Sequence, residues 1–131
     1  MTNNKNILQA VAVLVVVSDS QQHIKEAKKL TTAITETLRL PLLKSKIDTY
    51  PKFPHSFKIT LFFKIQEQED KIRCGLLHTA RLCTPWLCWY DEEEDTLELI
   101  FNRESSTRYT HTALKDIRWG NWTIENIDIT E

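Results

Sequence analysis

From Leu8 to Val17 the chain is apolar on both alternating faces. Ala10, Ala12, Leu14 and Val16 lie on one, and Val11, Val13, Val15 and Val17 on the other. A strand with one wet face alternates apolar and polar residues, whereas a strand covered on both sides reads as a continuous apolar run. The segment is therefore expected to be a strand in the middle of a sheet. Ile7–Val17 is too short to span a bilayer. Its other reading is the apolar part of a signal peptide cut near Ser18. The preceding segment carries one lysine and no small-x-small cleavage pattern follows, and valine favours the strand.

Ser18-Asp19-Ser20 supplies helix N-caps, with Gln21 three residues after Ser18 in capping-box position. Ile24, Ala27, Leu30, Ile34 and Leu38 then recur at helical spacing, with Lys25, Lys28, Lys29 and Glu36 between them. Pro41 stops this helix at or before Leu40. The spacing predicts one long helix of about five turns whose apolar stripe packs on the sheet. Residues 41–56 carry Pro41, Pro51 and Pro54 and read as an irregular connection. Phe57, Ile59, Leu61, Phe63 and Ile65 alternate with Lys58, Thr60, Phe62, Lys64 and Gln66, which predicts a strand with one core face. A second strand is expected over Ile72–Leu82, a third over Trp86–Tyr90 and a fourth over Thr96–Phe101, forming an antiparallel meander. Ala113, Leu114 and Ile117 suggest a short helix within 110–118. Trp119-Gly120-Asn121-Trp122 reads as a turn anchored by two indoles, and 122–129 as a last strand. The expected architecture is one α+β domain over 1–131. It has one long N-terminal helix packed on a mainly antiparallel sheet of five to six strands.

Composition excludes several function classes. The formal net charge of −1 offers no global basic field for nucleic acid. The two glycines, Gly75 and Gly120, cannot make a phosphate-cradling loop, which needs clustered glycines. Three cysteines, Cys74, Cys83 and Cys88, are a poor disulfide framework and point to a reducing cytoplasm.

The strongest functional signal is five consecutive carboxylates, Asp91-Glu92-Glu93-Glu94-Asp95, between two strand-like runs. Such a run is a solvated turn that keeps strand edges soluble, or a docking loop for a basic surface. Trp86, Trp89 and Tyr90 lead into it, and aromatics beside a charged rim are the composition of interface hot spots. A calcium site would need alternating ligand positions and a glycine, which the run lacks. Cys74, His78, Cys83 and Cys88 lack the paired spacing of structural zinc. His23, His55, His78 and His111 would be the acid–base groups of a metal-independent nuclease, but none are adjacent in sequence. Arg103, Arg108 and Arg118 with Trp119 and Trp122 are a nucleic-acid surface only against the overall charge. No cofactor and no metal is expected.

Through Trp89-Tyr90-Asp91-Glu92-Glu93-Glu94-Asp95, and in general character along its length, the chain resembles the small immunity proteins that bacteria make against secreted toxins, including those of contact-dependent growth inhibition systems. The resemblance implies a cytoplasmic, non-enzymatic protein that neutralises a cognate toxin domain, a basic nuclease, by occluding its active site. Trp89, Tyr90 and Asp91 to Asp95 would form the partner-binding surface, without nucleic acid or membrane as partners. The near-neutral net charge departs from the strongly acidic inhibitors of nucleases. A small histidine-dependent nuclease and a subunit pairing through a sheet edge are the alternatives.

Overall fold

The computed structural model describes residues 5–17, 24–49, 56–65 and 71–129, the first and last strands by their backbone pairing. It is an α+β fold. β1 (Lys5–Val17) is followed by α1 (Ile24–Leu38), β2 (Leu42–Thr49), β3 (Ser56–Ile65), α2 (Lys71–Ala80), β4 (Cys83–Thr84), β5 (Leu87–Asp91), β6 (Thr96–Asn102), β7 (Arg108–Tyr109), a 3-10 turn (Thr112–Leu114) and β8 (Ile117–Ile129). Six strands form one antiparallel sheet in the order β2-β3-β1-β8-β6-β5, and β4 pairs with β7 as a separate ribbon.

β1 is central, flanked by β3 and β8, as its two-sided apolar run requires. In β3 every second residue from Phe57 to Ile65 is buried while Lys58, Thr60, Phe62 and Lys64 are half-exposed. Leu97, Leu99 and Phe101 of β6 and Trp122 and Ile124 of β8 are buried likewise. The register places all of these on one side of the sheet, and both helices lie on that side.

α1 covers the β2–β3 half. Ala27, Leu30, Ile34 and Leu38 are buried at helical spacing, and Arg39 adopts a left-handed conformation (φ 57°) that ends the helix before Pro41. Its threonine hydroxyls are satisfied within the helix, donating to the carbonyl four residues back, Thr31 to Ala27 at 3.0 Å and Thr37 to Ala33 at 2.8 Å. The described helix has 15 residues, about four turns, and falls short of the long helix expected. The proposed cap at 18–21 lies outside the described residues.

Four local expectations are corrected. Residues 71–80 form a helix rather than the expected strand, so the meander breaks there and β3 pairs with β1 and β2. The α2 residues facing the sheet are Lys71, Gly75, His78 and Thr79, at helical spacing, whereas Leu76 and Leu77 are exposed. Hydrophobicity thus gives the wrong period, because the packed face is small and polar. The connection after Pro41 contains the edge strand β2, and Trp119–Trp122 belongs to β8 with Trp122 buried and Trp119 half-exposed. The helix expected within 110–118 is only the 3-10 turn, and Ile117 already begins β8.

Candidate functional site

The acidic run closes the β5–β6 hairpin, whose last pair is Asp91 opposite Thr96. Its five carboxylates divide into two roles. Asp91 Oδ1 accepts from the backbone N–H groups of Glu93 (3.0 Å) and Glu94 (3.3 Å), an Asx-type turn. Asp95 takes the left-handed conformation (φ 51°) that reverses the chain. Tyr90 donates its hydroxyl to Asp95 Oδ1 at 2.7 Å. Lys71, at the first turn of α2 and nearly buried, donates to Asp95 Oδ2 at 2.9 Å and to its carbonyl at 2.7 Å. The Tyr90 bond first, then Lys71, holds the Asp95 carboxyl below the usual carboxylate range. Glu92, Glu93 and Glu94 are left on the exposed surface of a turn fixed at both ends.

The neighbouring aromatics divide by strand face. Trp86 packs on Phe101 with ring centroids 5.3 Å apart and donates its indole N–H to the Cys83 carbonyl at 2.8 Å, so it belongs to the core. Trp89 is 62% exposed and lies opposite Glu98, on the sheet face away from the helices. Tyr90 is 39% exposed, its hydroxyl committed to the turn. Trp89, Tyr90, Asp91, Glu92, Glu93, Thr96 and Glu98 surround one shallow depression. The surface therefore combines an exposed indole with carboxylates, Glu92, Glu93 and Glu94, that make no ion pair among the described residues, on a turn held by hydrogen bonds at Asp91 and Asp95. Leu87, also 62% exposed and facing as Trp89 does, and Glu98 extend it. Sequence reading passes over both, although the alternation through β5 and β6 carries the signal.

The other candidates separate. Cys74 and His78 sit one helical turn apart on α2, with Cys74 Sγ 3.5 Å from His78 Nδ1. Cys83 is buried at the start of β4, its thiol pushed up to about 12 by burial, and Cys88 is exposed on β5. Among the described residues no group of three or more histidine, cysteine or carboxylate side chains is arranged to hold a metal ion. His78 is buried beside Trp122, with ring centroids 6.0 Å apart, while His111 is exposed before the 3-10 turn. His23 and His55 lie outside the described residues. Arg103 and Arg118 line an open cleft that also contains Glu104. Among the described residues no helix is long and apolar enough to cross a membrane.

Burial, and secondarily the Arg81 charge, lowers the His78 pKa from its ordinary 6.5. The unfolded chain thus takes up a proton that the folded one resists. The stability from neutral His78 is full above about pH 6.5 and is lost as pH falls through that value towards the lowered folded pKa. The melting temperature should therefore fall between pH 7.5 and 5. His78→Phe, which keeps a ring against Trp122, should flatten that part of the profile; an unchanged slope would place the titrating group elsewhere.

No family model, curated protein or solved structure matches the chain.

Proposed function

We propose that this protein is an immunity protein that binds a cognate toxin domain in the cytoplasm and neutralises it by covering its active site, without catalysis of its own. The observation that carries this reading is the exposed Glu92-Glu93-Glu94 run, held on a turn tied down by Asp91 and Asp95 beside the exposed Trp89. A fixed turn presents its charges without the ordering cost of a mobile loop. A basic partner is the matching chemistry, and a nuclease domain, whose active site attracts phosphate, is such a partner. Each charge-assisted contact that becomes desolvated is worth roughly 1.5–3 kcal/mol, and Trp89 and Tyr90 provide apolar anchoring.

Tagged protein drawn from its native host at low and high salt should retain one basic domain and release it at high salt. With that domain in hand, replacing Glu92, Glu93 and Glu94 together by lysine should slow association about 10-fold or more and reduce its salt dependence. Tyr90, Asp91 and Asp95 stay intact in this variant, so the turn survives. Unchanged affinity would remove the turn from the epitope.

A further inference from the structure

The sheet has a second face with no described helix on it. Its register sets residues of neighbouring strands in level rows. One row runs Trp89–Glu98–Thr123–Val11–Phe62–Lys44 from β5 to β2, and the next Leu87–Ile100–Asn121–Val13–Thr60–Lys46. Phe62, Ile100 and Trp119 are half-exposed there, and Leu87 and Trp89 are open. The charges are divided across the face. The β2–β3 half carries Lys44, Lys46, Lys58 and Lys64 with one acid, Asp48, which pairs with Lys46 at 3.8 Å. The β5–β6 half carries Glu98, Asp91 and the acidic turn, and neither strand contains a basic residue.

We propose that this face binds a second copy of the chain, the two sheets stacking around a two-fold axis that lies in the interface parallel to the strands and beneath the β1–β8 boundary. Of the two-fold axes that put face on face, one parallel to the strands exchanges the two halves, while one running across them sets each half on itself. The charge division selects the first. It superposes β5 on β2 and β6 on β3 at the same level. Trp89 of one copy then meets Lys44 of the other, a cation–π pairing. Lys44 Nζ already leans over the Phe62 ring, 5.9 Å from its centroid, which carries the charge above β3, where Glu98 of the second copy arrives. One level on, Leu87 covers the aliphatic stem of Lys46. Sheets stacked with near-aligned strands are a standard packing, about 10 Å apart. Six strands about 4.8 Å apart and roughly ten residues long present a face of about 800 Å², which is what each partner of a stable complex contributes.

This association buries Leu87, Trp89 and Glu98, which also flank the acidic turn, so it competes with toxin binding there, whereas Lys44 and Lys46 lie on the opposite edge of the sheet and report on the dimer alone. Light-scattering mass measured on the full chain over a concentration series should give twice the chain mass at low salt and a shift towards monomer at high salt. Lys44→Glu with Lys46→Glu, and separately Glu98→Lys, should each raise the dimer dissociation constant about 100-fold, because an isologous interface contains every change twice. Circular dichroism checks that these surface variants fold. Mixing the two variants should restore a dimer. One of its two symmetry-related contacts then carries the charge pair with both signs reversed, and the other keeps the original Lys44 and Glu98. A wild-type monomer at every concentration, a dimer indifferent to the lysine reversals, or a mixture that stays monomeric would each overturn the proposal. Indifference would move the contact to a strand edge. Lys44→Glu with Lys46→Glu losing the dimer but keeping toxin binding, and the Glu92, Glu93 and Glu94 lysine variant losing toxin binding but keeping the dimer, separate the two readings.

Discussion

Trp122→Ala should destabilise the fold by about 3–5 kcal/mol, a large part of what a domain of this size possesses. Trp122 is fully buried and is the largest such side chain. It stacks on Phe63 of β3 at 6.0 Å with a 17° interplanar angle and meets His78 of α2 from the other direction. It therefore connects the β3 side of the core to the α2 side, and its removal opens a cavity between elements that cannot collapse independently. A midpoint lowered by about 10–20 °C in thermal unfolding is the corresponding readout. Trp122→Phe should cost much less. Among the described residues the indole N–H finds no hydrogen-bond partner, and a buried donor left unpaired carries a penalty of about 1–3 kcal/mol. Phenylalanine removes that donor while keeping a ring against Phe63, so the relieved penalty offsets part of the lost volume. Equal losses for the two substitutions would mean that ring contact with Phe63 and His78 contributes little.

Gly75→Val should cost about 2–3 kcal/mol through overpacking. A β-carbon at Gly75 would sit 2.6 Å from Leu97 Cδ2 and 2.9 Å from Leu99 Cδ1, closer than such atoms approach. Both leucines are fully buried, so their methyl groups have no free space to take. Valine is a somewhat better helix former than glycine, so a net loss reports the steric conflict. Urea unfolding with an unchanged m-value would report it as a stability change alone. Leu99→Ala in the Gly75→Val background should recover part of the loss; strict additivity would show that the two sites do not touch.

The elements legible in the sequence are those whose apolar period matches their burial. β3, β6 and the α1 stripe belong to this group, while β1 is legible through its central pairing and β5 through the charged turn that follows it. α2 is illegible because its fully buried positions are Lys71, Gly75, His78 and Thr79, while its apolar residues are only partly buried, as Ile72 and Cys74 are, or exposed, as Leu76 and Leu77 are. Lys71 is buried because its ammonium reaches the Asp95 carbonyl and carboxylate, a tie across 24 positions that no local pattern announces. β2 is hidden by its own exposure. Leu42 to Ser45 are all exposed and its pairing slips between Leu42 and Lys44, so no clean alternation survives. At the candidate site the acidic run itself is plain. Its internal division is not, since which carboxylates build the turn and which remain outside depends on backbone donors and a distant lysine.

The neighbours of β1 also determine when it can be completed. Its pairing with β8 joins residues more than one hundred positions apart, and β3 is itself distant in sequence. Ring closures of that span come late, after their entropy has been lost, and sheets dominated by such contacts fold slowly. During synthesis β1, the most apolar strand, leaves the ribosome first and waits for β8 with an open backbone ladder, the condition in which nascent chains recruit chaperones or pair with one another. The central pairing of the sheet therefore waits until β8 has been made.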